Sequence, residues 1–340
     1  MSHLPIDSAF SPSIPLPTQK IGIILCRLGG LCYLCKRKIL TQRQMSNLDF
    51  THILAKTVDE LSAAESLKGL FHQHRDGNPL PSARALEEII ELARGILFPG
   101  YFGRSSVNMS TIRYHIGVNV ERFHNLLSEQ VMAGLCFSCT GGSDGCGEGC
   151  RGRATDIATQ LVGRLPQIRR TLATDVEAAY CGDPAATSYG EIISCYPVIR
   201  ALVNYRLAHE LFVLGVPLIP RMMTEMAHSE TGIDIHPGAR IGHHFTIDHG
   251  TGVVIGATCI IGNHVKLYQG VTLGAKSFPL DDAGNPIKGI DRHPILEDGV
   301  IVYSNATILG RITIGHDSVV GANIWVTEDM EPETKKYKKE

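Results

Sequence analysis

Residues 232–275 read GIDIHPGARIGHHFTIDHGTGVVIGATCIIGNHVKLYQGVTLGA, and an aliphatic residue recurs there at every sixth position: Ile235, Ile241, Ile247 and Val253. After a two-residue shift of phase the beat continues at Ile255, Ile261, Leu267 and Leu273, with glycine directly after several of them (Gly242, Gly256, Gly262, Gly274). A period of six fits neither a helix nor a long alternating strand. It predicts a parallel β-helix of hexapeptide repeats, each a short strand with its aliphatic residue inward followed by a turn. The beat returns at Leu296, Val302, Ile308, Ile314, Val320 and Val326. Between the two runs, 276–294 carries Pro, Gly and Asn and predicts a loop projecting from the prism.

Working outward, 46–232 reads as helical. SARALEEIIELARGILF (82–98) is amphipathic, with Pro81-Ser82 at its start and Pro99-Gly100 at its end. IRYHIGVNVERFHNLLSEQVMAG (112–134) repeats the pattern, and a Gly/Cys-rich loop follows near 138–153. Further helices are expected with breaks near Pro166 and at Pro197, and the last ends at Gly232. The fold class is therefore α+β: a helical domain at 46–232, a β-helix at 233–330, and a basic tail at 331–340. Residues 1–45, Pro/Ser-rich at the beginning, read as a disordered extension, with Met45 a candidate natural start. The apolar run 21–35 is too short to span a bilayer and contains Arg27. It makes a poor signal peptide, because its basic cluster Lys36-Arg37-Lys38 follows the run instead of preceding it.

The net charge of −2 advertises no basic face, which argues against nucleic acid as a partner, and aromatics at 6 % suit a narrow β-helix interior. The ten cysteines have no framework spacing. Cys181, Cys195 and Cys259 read as small buried hydrophobes, and reduced thiols in a cytoplasmic enzyme are the simplest reading. Cys136, Cys139, Cys146 and Cys150 have the spacing C-x2-C-x6-C-x3-C, a lesser candidate for a structural zinc site beside the reading as incidental thiols.

Several polar residues stand where an inert prism does not need them. Asp234 and His249 are fifteen residues apart, close to the ~18 of one three-sided coil, which places them a layer apart on neighbouring edges. A carboxylate on one imidazole nitrogen makes the other a better base, suited to a hydroxyl nucleophile. Arg292 has the planar fork that suits a carboxylate, and Asp248 would suit an ammonium group. The bland alternative is that these acids and histidines only satisfy backbone groups in the turns.

GDPAA (182–186), YRLAH (205–209), IDIHPGARIG (233–242), IDHGTGVVIG (247–256), YQGVTLGA (268–275), RHP (292–294) and ATILG (306–310) together resemble serine O-acetyltransferase, over roughly residues 165–328. LFPGYFG (97–103) resembles the longer subgroup of that family. The resemblance implies a left-handed β-helix and transfer of acetyl from acetyl-CoA, a co-substrate and not a bound cofactor, to L-serine for cysteine biosynthesis. It implies His249 as general base oriented by Asp234, and Arg292 on the serine carboxylate. It also implies Asp183 and Asp248 on the amine, His293 closing the pocket, and backbone at Ala275, Ser304 and Ala322 along the acetyl-CoA arm. No metal is implied. A homotrimer, or a dimer of trimers, is expected, because the acetyl-CoA arm runs between adjacent prisms. Partnership with cysteine synthase is doubtful, since the chain ends in a Lys-rich segment without the family's isoleucine tail.

Three other readings of the same residues stand beside this one. One is an O-acetyltransferase for another hydroxylated acceptor. Another is a zinc hydrolyase of the γ-carbonic-anhydrase type built on His243, His244, His249 and His264. The last is a degenerate scaffold that only oligomerises.

Overall fold

The computed structural model describes residues 49–72, 80–103, 107–138 and 148–338. The expectations placed on 1–45 lie outside these residues, as do Cys139 and Cys146. The chain divides into two compact units, Met1–Gln73 and His74–Glu340. In the first, 49–62 are helical and a short helix Ala64–Leu67 follows.

The second unit begins with the helix Ala83–Leu97, whose N-cap Ser82 accepts a hydrogen bond from the Ala85 N–H. Next come Ile112–Ser138 and Glu148–Gly182. The latter runs unbroken through Pro166, contrary to the expected break. An interior proline costs roughly 3 kcal/mol, yet Ile157, Leu161, Leu165, Ile168, Leu172 and Val176 form one buried stripe on both sides of it. Burial of several such side chains, each worth about 1.5–3 kcal/mol, outweighs the defect. The expected break at Pro197 is present. Tyr196 is extended, ending the helix Tyr189–Cys195 and preceding Pro197–Val213, where proline sits at the first helical position. The last helix, Ile219–Thr231, stops at Gly232, which is left-handed (φ 72°).

From Ile233 the chain winds a parallel β-helix with three sheets. The first sheet stacks Ile233–Ile235, Val253–Ile255, Thr272–Gly274, Thr307–Leu309 and Trp325–Val326. The second stacks Arg240–Ile241, Ile260–Ile261, Ile295–Leu296 and Thr313–Ile314. The third stacks Thr246–Asp248, Lys266–Tyr268, Ile301–Val302, Val319–Val320 and Lys335–Lys336. The hexad residues point inward: Leu267, Leu273, Val302, Ile308, Ile314, Val320 and Val326 are all 0 % exposed. A second buried series, Ala239, Phe245, Cys259, Val265, Val271, Val300 and Ala306, fills the corners. Cys259 is buried as expected, whereas Cys181 and Cys195 are exposed. Strand pairing continues into the basic C-terminal segment, through Lys336.

The shift of phase has a structural cause. Val254 pairs with Thr272, eighteen residues on, but Thr246 pairs with Lys266, twenty residues on. The two extra residues lie in the turn that carries His249. Segment 276–289 is exposed throughout and holds its own turn, in which Asp281 accepts from the N–H groups of Ala283 and Asn285. Among the described residues, no helix is long and apolar enough to cross a membrane.

The YRLAH motif joins helix to prism. The buried Tyr205 hydroxyl donates to Ala239 O (2.7 Å), and His209 Nδ1 pairs with Pro237 O (2.8 Å). Arg206 makes a bidentate pair with fully buried Asp175 (2.8 and 3.0 Å) and also donates to Gly242 O (2.8 Å). Burial pushes the Asp175 carboxyl above its ordinary value, and the Arg206 guanidinium opposes that rise.

Candidate active site

The residues singled out in the sequence fall into two groups on opposite edges of the first sheet. At the edge shared with the third sheet stand Asp248 and His249, with Asp183 of the helical region beside them. His249 is in the left-handed region (φ 59°), and its side chain is 74 % exposed, so its ring faces solvent. Gly250 is required next to it. At φ +96° a Cβ would also strike the Ile233 side chain at 2.5 Å. Asp183 accepts from the Tyr196 hydroxyl (2.5 Å) and the Ala185 N–H (2.8 Å). These two donors hold its carboxyl below the usual range, and the same bond pushes Tyr196 up to about 12. Lys266 completes the group, donating to Gly182 O (2.6 Å) and lying 3.3 Å from Asp248 Oδ2. Burial works against the Lys266 charge, but Tyr268 and Asp248 outweigh it and the ammonium pKa lies above its ordinary value.

The expected acetyl-CoA positions Ser304 and Ala322 lie along this same edge in later coils, where Asn323 N–H donates to Ser304 O (2.9 Å). Ala275 lies at the opposite edge, after the strand Thr272–Gly274.

That opposite edge, shared with the second sheet, carries Arg292 and His293. Thr258 organises both. Its hydroxyl accepts from the N–H groups of Arg292 (3.0 Å) and His293 (3.2 Å) and meets His293 Nδ1 at 2.8 Å. The Thr258 N–H donates to the same Nδ1 (3.1 Å), which assigns His293 as the neutral Nε2–H tautomer. His293 is 7 % exposed. Burial, with the nearby Arg292 and His236, drops its pKa to about 4. Arg292 lies over the Phe278 ring at 5.9 Å, and its buried Nε has no partner.

Asp234 stands between the two edges, on the outer face of the first sheet. No hydrogen bond joins it to His249. Its Oδ1 is buried without a hydrogen-bond partner, 3.6 Å from the Arg221 guanidinium. The carboxylate facing His249 Nε2 is Asp248, at 3.8 Å. The turn of His249 nevertheless rests on the strand of Asp234, since Gly252 N–H donates to Gly232 O (2.9 Å). Asp234 also gathers with Glu225 and His228, but Arg221 already supplies the cation there.

Sequence reasoning missed Lys266, Tyr196, Thr258 and Arg221. Lys266 alone left a signal, a cation at the outward position directly before the inward hexad residue Leu267. Of the four histidines weighed as a zinc hydrolyase set, His243, His244 and His264 gather at the corner between the second and third sheets, away from His249. In the cysteine cluster, Cys136 is disulfide-bonded, at odds with the expected reduced thiols.

No family model matches the chain. It is 49 % identical over 254 residues to a plasmid serine acetyltransferase of Synechococcus elongatus, covering 74 % of this chain and 80 % of that one. It is 42 % identical over 161 residues to a serine acetyltransferase of Bacillus subtilis, covering 47 % of this chain and 70 % of the relative. Its structure is similar to that of Entamoeba histolytica serine acetyltransferase 1 in complex with L-cysteine, with a TM-score of 0.65 and 36 % identity over 78 % of this chain and 91 % of that one. Isoform 3 from the same organism, in complex with cysteine, gives a TM-score of 0.64 at 36 % identity over 74 % and 81 % of the two chains. With a left-handed β-helix behind a helical region, and acid, histidine and arginine groups at its corners, the chain belongs to the serine acetyltransferase family of acyltransferases.

Proposed function

We propose that the chain transfers acetyl from acetyl-CoA to the hydroxyl of L-serine, with His249 as the base, in a cleft formed between neighbouring copies of the prism. The family supplies acetyl-CoA as co-substrate. A serine hydroxyl is a poor nucleophile at neutral pH, so it needs a base at the moment of attack. His249 has an exposed ring free to turn, and Asp234 offers a buried carboxylate oxygen that lacks a hydrogen bond. Rotation of His249 over the first sheet brings an imidazole N–H to Asp234 and aims the other nitrogen at the hydroxyl. Catalytic hydrogen bonds often tighten only in the complex with substrate.

Asp183 and Asp248 then receive the serine ammonium, and Arg292 its carboxylate. His293, kept neutral, offers its Nε2–H to the closed pocket. The thioester oxyanion is met by backbone N–H groups of the turns, and the acetyl-CoA arm follows Ser304 and Ala322 on one prism and Ala275 on the next. The proton leaves serine for His249 as the new C–O bond forms, and passes to the departing CoA thiolate as the C–S bond breaks.

The observation that carries this reading is the division of the site. Asp183, Asp248 and His249 stand at one edge of the first sheet, and Arg292 and His293 at the other. A threefold arrangement lays one edge against the other edge of the next copy, so a trimer, alone or paired, completes the site. Residue placement on the β-helix favours a zwitterionic acceptor, since both an anionic and a cationic group are provided, and we place the reaction in the cytoplasm. Thiol release from acetyl-CoA with serine, homoserine and a sugar tests the assignment. Serine must be the preferred acceptor, and preference for the sugar refutes it. In His249→Ala, turnover should drop on the order of 10²–10⁴-fold with the fold intact.

A further inference from the structure

The corner between the second and third sheets holds a cluster that acyl transfer leaves unused. His243, His244 and His264 each bring one ring nitrogen to within 4.8 Å of the others. The Nδ1 atoms of His243 and His244 lie 2.7 Å apart. His244 and His264 stack with centroids 4.3 Å apart and planes 20° from parallel, and His243 meets His264 edge-on at 5.5 Å.

The backbone under these rings is tied down. His244 and His264 occupy the same turn position in successive coils, both left-handed (φ 56° and 57°). His264 N–H donates to His243 O (3.0 Å). His243 N–H donates to Asn263 Oδ1 (3.1 Å), and Asp298 of the next coil accepts from Asn263 N–H (2.7 Å) and Nδ2 (3.3 Å). From the helix Glu148–Gly182, Thr174 Oγ1 accepts from His244 N–H (3.0 Å). Only the rings are left to adjust.

We propose that His243, His244 and His264 bind one divalent transition-metal ion of the zinc, cobalt or nickel type, with a further position open to water. Three imidazoles and no hard oxygen cage select such ions over Mg²⁺ or Ca²⁺. With the Nδ1 atoms of His243 and His244 facing each other, two ligand atoms already stand side by side. Tetrahedral binding at about 2.0–2.1 Å separates ligand nitrogens by about 3.3 Å. The His243–His244 pair therefore opens by less than an ångström, and the wider pairs close inward.

A second observation points the same way. While Nδ1 of His244 faces the cluster, its Nε2 faces the Glu177 carboxylate at 3.5 Å. A carboxylate on the far nitrogen of a metal-binding imidazole fixes the ring and raises its basicity. The ion would join the first coil, the second coil and, through Glu177, the long helix. The strand Thr246–Asp248 separates it from His249, a span of about 16 Å for five residues of strand. Its role is therefore to stiffen the prism and not to react with substrate.

The test uses the full chain without a histidine tag, stripped with EDTA and titrated with Co²⁺ and Zn²⁺. One equivalent of Co²⁺ should give visible d–d absorption without the strong charge-transfer band of thiolate ligation, and Zn²⁺ should raise Tm by several degrees. In the double variant His243→Gln/His264→Asn, chosen because Asn tolerates the left-handed turn, affinity should fall more than ~100-fold while the metal-free Tm stays near wild type. Glu177→Ala should weaken binding ~10–100-fold, as expected for an outer-sphere partner. Failure of the folded wild type to bind stoichiometrically, unchanged affinity in the double variant, or a thiolate band in either protein overturns the proposal.

Discussion

The His293 imidazole lies against the bare Cα of Gly256: a Cβ at that residue would stand 2.0 Å from His293 Cδ2. One coil thus leaves out a side chain so that the next can seat a ring. Gly256 is not in the left-handed region, so Gly256→Ala is tolerated by the backbone and acts through that overlap alone. Overpacking of this kind costs roughly 1–3 kcal/mol, and here the cheapest relief is to push His293 off Thr258. We expect kcat/KM for serine to fall at least ~10-fold with a loss of Tm of a few degrees. Unchanged kinetics in a folded Gly256→Ala protein would show that the seat of His293 does not matter.

The same seat sets a pH dependence. His293 has a folded pKa of about 4 against an ordinary 6.5. Between these values the unfolded chain binds the proton and the folded chain does not, so stability is full above pH 6.5 and falls as the pH drops toward 4. A shift of this size is worth at most about 3 kcal/mol. His293→Gln removes this pH dependence. Its Tm relative to wild type should improve as the pH is lowered from 7 to 4.5. A constant difference between the two curves would contradict the burial of a neutral ring.

Much of the fold was legible because the hexad beat reports the inward position of each strand up to Val326, and the shift of phase between Val253 and Ile255 marks the two extra residues that lift His249 out of the prism. The unbroken helix through Pro166 was not legible, because a local rule against proline was overridden by a buried stripe along both of its halves. The acids, histidines and arginine at the corners of the prism were legible by type, but their division between two edges was not. It depends on which sheet each turn follows, and the insertion at 276–294 hides that register until strand pairing is known. Asp234 was expected beside His249 from the spacing and from the family resemblance. Spacing places the backbones correctly and says nothing of Arg221, which arrives from the preceding helix.

The seam between helix and prism gives a stability prediction. Arg206 lies between Asp175 and the carbonyls of Ile241 and Gly242. Asp175 Oδ1 also accepts from Phe245 N–H (3.1 Å). Asp175→Ala leaves a buried guanidinium without its anion, at a cost of about 3–5 kcal/mol. Thermal unfolding of the variant should show a large drop in Tm, and the further change Arg206→Met should restore part of it by removing the stranded charge. No loss on Asp175→Ala would mean that water reaches the pair.

The division of the site between two edges of one sheet yields the most decisive prediction. If His249 of one copy works with Arg292 of its neighbour, His249→Ala and Arg292→Ala damage different halves of the same cleft. Each variant alone should be impaired, the first in kcat and the second mainly in the KM for serine, since Arg292 binds ground and transition states alike. Unfolded together and refolded as mixed trimers, they should regain activity. With random assortment, about one cleft in four receives both intact halves. Assayed at serine concentrations well below the KM of the Arg292 variant, the mixture should reach about a quarter of wild-type activity. Activity no higher than the mean of the two separate variants would place His249 and Arg292 of the same copy in one site, and the cleft between copies would have to be abandoned.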